Sequence, residues 1–402
     1  DILSANSSTQ PTDTLTEGWN ILISTNRYAV SQYNASPSTN NNMFYSNIQA
    51  AEWAWSGVAI KPVTAIPALI PSLQSPSVGG WVEVGRFTAS GAVSSMPVTS
   101  LSDKRYYMYL SHYTSNADGQ RIEINSDTGS NYSQRFSTNG ASDSTGINQS
   151  NIVSGYGGSG LEEFNVGYIA NKSDKEKLTQ TFASSYGASG AGTAPNRREC
   201  TGKWANTSAA ISSFDFKPAT STFQSGAEVV VLGWDPADTH TTNFWEELAS
   251  VTTTGAGTSI SSGTFTAKKY LWIQAFIPAA NHNFNLQFNG DTGSNYAKRR
   301  SEIGGADSTS TSQDRMTIGS YGSTSSDFYN IFMVNNSANE KLAIIHNVNR
   351  NTAGAGNAPY RSEFVGKWAN TSAQITSVNV LQQSGGSGSF DTGSILKVWG
   401  SN

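Results

Sequence analysis

The chain has 402 residues, with 25 Lys and Arg against 29 Asp and Glu for a formal net charge of −4. That balance lacks the basic footprint of a nucleic-acid binder, and no apolar run is long enough for a membrane-spanning helix. With one Cys there is no disulfide framework, so stability must come from apolar cores and from association.

Residues 1–80 come first and match nothing else in the chain. They hold a polar low-complexity stretch from Tyr33 to Asn42, the segment Glu52-Trp53-Ala54-Trp55, and prolines at 62, 67, 71 and 76. Proline at that spacing disfavours helix and central strand, whereas tryptophans need burial. The segment therefore reads as an N-terminal arm or partial domain, with Trp53 and Trp55 the candidates for burying apolar surface on a neighbouring chain. The alternative is that it completes the first sandwich.

From residue 81 onward, strand signals follow one another. Ile122-Glu123-Ile124 precedes the turn-forming Asp127-Thr128-Gly129-Ser130-Asn131-Tyr132. Phe164–Ile169, Ile211–Phe216 and Val229–Leu232 are further strands. A short link at 234–244 leads to a second series: Lys269–Phe276, the alternating Phe284–Phe288, Tyr296–Arg299, Met316–Gly319, Tyr329–Val334, Lys341–Asn347, Arg361–Trp368, Ile375–Leu381 and Ile395–Trp399. Strand, turn cluster and returning strand around each Asp-Thr-Gly-Ser-Asn read as a hairpin.

The two series are one domain written twice. Asp127 to Tyr132 returns letter for letter as Asp291 to Tyr296, and Gly202-Lys203-Trp204-Ala205-Asn206-Thr207-Ser208-Ala209 returns as Gly366 to Ala373, both at 164 residues (291 − 127, 366 − 202). Only the last strand slips, by three residues, at the Gly385-Gly386-Ser387-Gly388 loop. With about eight or nine strands in roughly 150 residues per copy, the expected fold is all-β: two tandem antiparallel β-sandwiches, jelly-roll or concanavalin-like, after the arm. The expected divisions are 1–80, a first repeat at 81–233, a linker at 234–244 and a second repeat at 245–402.

The duplication also screens the chemistry. His112, His240, His282 and His346 have no histidine at the matching position, so no His-based site is shared. No zinc spacing, nucleophile motif or phosphate loop is present. Carboxylates do repeat, as Asp127/Asp291, Asp143/Asp307, Glu176/Glu340 and Glu199/Glu363. The last pair sits in Arg197-Arg198-Glu199 and Arg361-Ser362-Glu363, where residues two apart share a strand face and read as an exposed Arg–Glu pair. Asp127, Asn131, Asp291 and Asn295 are weak candidates for calcium, against the plainer reading of an Asx-stabilised turn. Trp204 and Trp368 read as core, with sugar stacking the alternative. Cys200, matched by Phe364, reads as a buried apolar site.

Each copy closes on Lys-Trp-Ala-Asn-Thr-Ser-Ala, then a Phe, then a Gly-led strand, in the second copy Phe390 to Gly400. Together with Asn289 to Tyr296 this resembles β-sandwich modules in structural proteins of tailed phages, especially marine ones. The resemblance covers both copies and leaves the first 80 residues outside. It implies no catalysis and a virion protein folded in the host cytoplasm, which fits an opening Asp1-Ile2-Leu3-Ser4 without a charged-then-apolar leader. The expected role is outer capsid decoration or a fibre or appendage component. Its partners would be copies of itself, with a trimer favoured, and other virion proteins. The alternatives are a module that binds host glycans, a double jelly-roll capsid protein, and a glycan-cleaving enzyme.

Overall fold

Successive residues of a strand point to opposite faces, and a long strand in each repeat, Tyr106–Thr114 and Lys341–Asn349, buries most of both faces. Tyr106–Thr114, for example, keeps its seven residues from Tyr107 to Tyr113 buried. A strand apolar on both sides needs a layer on both sides, and that requirement sets the architecture.

The computed structural model of the chain describes residues 2–5, 19–24, 27–32 and 80–402, apart from 116–118, 159, 237, 239–241, 281–283, 320–324 and 383–389. It divides into two compact units, Asp1–Ser72 and Leu73–Asn402. The first contains a three-stranded antiparallel sheet of β1 (Ile2–Ala5), β2 (Trp19–Ser24) and β3 (Arg27–Gln32), with β3 in the middle. Trp53 and Trp55 lie outside the described residues.

The second unit holds both repeats, and no helix occurs among the described residues. Repeat 1 comprises β4 (Val82–Thr88), β5 (Met96–Val98), β6 (Tyr106–Thr114), β7 (Gln120–Ile124), β8 (Tyr132–Thr138), β9 (Ser144–Gln149), β10 (Ile152–Val153), β11 (Glu162–Ala170), β12 (Lys177–Ser185), β13 (Asn196–Trp204), β14 (Phe214–Pro218) and β15 (Glu228–Trp234). Repeat 2 comprises β16 (Glu246–Thr252), β17 (Ser259–Ser261), β18 (Tyr270–Ala280), β19 (Phe284–Phe288), β20 (Tyr296–Glu302), β21 (Ser308–Gln313), β22 (Met316–Thr317), β23 (Ser325–Val334), β24 (Lys341–Asn349), β25 (Tyr360–Trp368), β26 (Val378–Gln382) and β27 (Ile395–Ser401).

Each repeat is an antiparallel sandwich of an eight-stranded and a four-stranded sheet. The large sheets run β4-β15-β6-β11-β12-β13-β8-β9 and β16-β27-β18-β23-β24-β25-β20-β21, strand for strand the same order. The small sheets, β10-β7-β14-β5 and β22-β19-β26-β17, match as well. Among the described residues, twelve strands per repeat exceed the expected eight or nine. The additional ones are too short (Met96–Val98, Ile152–Val153) or too polar (Ser144–Gln149, Ser308–Gln313) to carry a periodic signal.

The expected hairpin at the repeated hexapeptide is corrected. β7 belongs to the small sheet and β8 to the large one, and the same holds for β19 and β20. The segment is a corner between layers, because both flanking strands turn apolar side chains into the sandwich. Ile122, Ile124 and Tyr132 share one core cluster. Asn125 and Asn289 occupy left-handed backbone at φ 53 in both copies, a conformation that Asn tolerates. Their side chains accept from the backbone N–H groups of Ser212 and Ser213, and of Thr376 and Ser377.

Three apolar clusters fill the unit. Two lie inside the sandwiches, and the third lies between the two large sheets, joining Leu110, Phe164 and Val166 to Tyr270, Phe332 and Ile344. The link between repeats belongs to this third core: Phe244 and Trp245 are buried there, and the Phe244 N–H donates to the Trp81 carbonyl at 2.7 Å.

The C-terminal strand β27 is paired on both sides, with β16 and β18, and buries Leu396, Val398 and Trp399. Deleting Ser394–Asn402 should therefore cost on the order of 5 kcal/mol, at about 1.5–3 kcal/mol per buried side chain. Denaturant unfolding of the shortened chain checks this; an unchanged midpoint would mean the strand contributes nothing.

Candidate functional site

The two sequence blocks that reveal the duplication meet in space. Trp204 Nε1 donates to Asp127 Oδ2 at 2.7 Å, and Trp368 Nε1 to Asp291 Oδ2 at 2.7 Å. The Gly129 and Gly293 N–H groups donate to the other carboxylate oxygen at 2.9 and 2.8 Å. The amides of Asn131 and Asn295 donate to the same carboxylates. Burial pushes both carboxyls up, but the indole, backbone and amide donors outweigh it and hold them below the usual Asp value. Both oxygens of each Asp thus close the turn and anchor a buried Trp, and no cluster of three or more metal-ligating side chains occurs among the described residues.

Removing Asp127 leaves the buried indole N–H without its acceptor. Asp127→Ala should cost about 1–3 kcal/mol, as should Asp291→Ala, and millimolar calcium should leave the melting temperature of the intact chain unmoved. Thermal unfolding with and without calcium reads both; a calcium-dependent rise would place an ion at this turn.

The outer faces of the two large sheets carry the distinctive geometry. Each has a proximal end, where β6 and β12 begin in repeat 1 (Tyr106, Leu178) and β18 and β24 in repeat 2 (Tyr270, Leu342), and a distal end toward which they run (His112, Ser184; Phe276, Val348). The distal end of repeat 1 covers the proximal end of repeat 2. His112, Phe164 and Ser184 are buried on one side, and Tyr270, Leu342, Ile344 and Lys367 on the other.

Polar contacts fix this seam. The Arg197 guanidinium donates to both oxygens of Asp307, at 2.7 Å from Nη2 and 3.0 Å from Nε, and to Glu199 at 2.6 Å. Lys367 Nζ donates to the carbonyls of Tyr186 and Ala188 at 2.8 and 2.6 Å. Beside it, Glu340 pairs with Lys367 and accepts the Gly190 N–H. Glu228 accepts from Lys269 Nζ and the Tyr270 hydroxyl, each at 2.8 Å. Asn336 donates to His112 Nδ1 at 3.0 Å, which leaves Nε2 to donate to Glu162 at 2.6 Å.

The expected exposed Arg–Glu pair is met at Arg361–Glu363 only by the arginine, 63% exposed against 12% for Glu363, and is corrected for Arg197–Glu199, whose arginine is buried. Arg197 is buried because Asp307 of the other repeat caps it. The other repeated polar residues divide in the same way: Lys203 and Glu176 pair in the open, whereas Lys367 and Glu340 are buried.

The seam should lose stability in acid. Burial, assisted by Arg197, pushes the His346 imidazole down from 6.5 to about 4; the ring meets Phe182 edge-on at 4.5 Å. Burial alone would raise the Glu228 carboxyl, but Lys269, Thr88 and Tyr270 hold it at about 2. In both cases the unfolded chain binds the proton at higher pH than the folded one, so stability falls with falling pH. The loss should run from 6.5 to about 4 for His346 and from 4.5 to about 2 for Glu228. Melting curves across that range check the sign, and His346→Phe should flatten the upper part; greater stability in acid would contradict it.

Two clefts open on repeat 1, one on its uncovered proximal half and one beside the seam. One, of about 370 Å³, is lined by Trp81, Tyr106, Tyr168, Leu178 and Trp234 among others. Tyr106 and Trp234 stack there at 5.3 Å. The other, of about 280 Å³, brings Asp143 and Glu199 to one wall with Arg135 and Phe182. Burial and the Glu363 carboxylate push the Glu199 carboxyl up against the pull of Arg197, and Asp143 pairs with Arg135 at 3.5 Å. The aromatic cleft was missed in the sequence because its walls come from five separated stretches; its visible signal was the non-alternating Tyr106-Tyr107-Met108-Tyr109-Leu110 run.

No protein-family model and no curated protein matches the sequence. Among solved structures, the attachment invasion locus protein Ail of Yersinia pestis aligns at 7% identity and a TM-score of 0.12, over 66% of this chain and 98% of that one. Human GIVD cytosolic phospholipase A2 aligns at 9% identity and a TM-score of 0.11, over 66% of this chain and 33% of that one. Likenesses this slight carry no argument about function.

Proposed function

We propose that this protein is a non-enzymatic structural component of a tailed virus, an outer decoration or appendage subunit that assembles with copies of itself into a closed oligomer, a trimer in the favoured case. The observation that supports this reading most is how the polar residues repeated between the copies are used. They close turns in both copies, as Asp127 and Asp291 do, or in one of the two copies lock one repeat onto the other, as Arg197–Asp307 and Lys367–Glu340 do. The uncovered ends of the large sheets expose Tyr106, Leu178, Phe276, Phe328 and Val348. The likeness of the closing strands to phage sandwich modules supplies the virion setting. Gold-labelled antibody against the protein should decorate intact particles in electron micrographs of virus preparations that contain it. Label found only on cells or in the soluble fraction would count against it.

A second reading, a module that binds host glycans, is favoured by the aromatic cleft at Tyr106 and Trp234. Aromatic faces and a few polar rim groups suit the stacking of a sugar ring. On a glycan array this reading expects binding that Trp234→Ala weakens about tenfold or more; an array without signal removes it.

A further inference from the structure

Among the described residues seven large hydrophobic side chains are exposed, and five of them lie on the two uncovered half-faces: Tyr106 and Leu178 at the proximal end of repeat 1, Phe276, Phe328 and Val348 at the distal end of repeat 2. These are the ends whose counterparts form the seam. Tyr106 and Leu178 are 37% and 58% exposed, whereas Tyr270 and Leu342, the same residue types 164 positions on, are fully buried. Phe328 is 38% exposed and its counterpart Phe164 is fully buried.

The polar anchors are duplicated too. In the seam Lys367 and Glu340 grip the 186–190 loop of repeat 1. Lys203 and Glu176 present the same pair, solvent-exposed, at the proximal end of repeat 1. The loop that such a pair grips, with its Gly190-Ala191-Gly192, recurs as Gly354-Ala355-Gly356 at the distal end of repeat 2, and it is exposed there. Gly190 and Gly354 share the left-handed backbone, at φ 83 and 94.

We infer that a second copy of this chain docks here, the distal end of repeat 2 of one molecule seating on the proximal end of repeat 1 of the next. The contact reproduces between chains the one that already joins the repeats within a chain. It is heterologous, so repetition gives a ring if the rotation closes and a filament if it does not. The inference deepens the reading of the protein as a self-assembling component, but the contact itself requires no virion.

Two variants of the full chain test it, Leu178→Glu and Val348→Glu, both at exposed positions so that folding is retained; melting curves confirm that. By light scattering, the parent should associate with rising micromolar concentration, and each variant alone should associate at least about tenfold more weakly. Mixing the two variants should restore pairing as a one-to-one complex that grows no further, because one retains a sound distal end and the other a sound proximal end. Antibody-negative virus particles with this pattern intact would remove the virion reading and leave the contact standing. A parent chain that stays monomeric, an oligomer indifferent to both substitutions (held by residues 1–79 or another face), a mixture that does not pair, or glycan binding at Tyr106 without association would each overturn the inference.

Discussion

Burial of both faces of the large sheets is the constraint on which the structure depends. A sheet with polar residues on one face can end a sandwich, but β6 in repeat 1 and β18 and β24 in repeat 2 carry apolar residues on both. One face takes the four-stranded sheet of its own repeat. The other takes its counterpart in the second repeat, giving four layers with the large sheets innermost. A repeat cut free would expose Leu110, Phe164 and Val166, or Tyr270, Phe332 and Ile344, a contiguous apolar surface of the kind soluble monomers avoid. Duplication therefore made two halves of one object rather than two independent beads.

The polar contacts on the seam fix its register more than they add to its strength. Replacing a buried ion pair by apolar groups is often neutral, whereas removing one partner strands a charge in low dielectric. Arg197 with Asp307, and Lys367 with Glu340 and two carbonyls, thus penalise any sliding of one sheet over the other. The same residue types at 135, 143, 176 and 203 stay in solvent because no partner covers them. Identical sequence has different electrostatics in the two copies, and the difference comes from the offset of the stack.

That offset separates what was legible in the sequence from what was not. The repeat, the all-β class and the buried Trp204 and Trp368 follow from identity at a fixed spacing and from period-two patterning. The corner at Asp127 reads as a hairpin because strand–turn–strand sequences look alike whether the strands pair or part into two layers. Which face of each sheet meets the other repeat is a relation between distant surfaces, and no local pattern encodes it. A clue was present in the unbroken apolar run from Tyr106 to Leu110, since a strand wetted on one side would alternate. Arg197 carried no such clue: its partner Asp307 lies 110 residues away.

Hydrogen exchange read by mass spectrometry, on the full chain and as a function of denaturant, tests the shared third core most directly. If the large sheets hold each other, peptides from β11 and from β24 lose protection together, with one opening free energy and one denaturant dependence. Protection that disappears from one repeat while the other keeps its own would contradict the account.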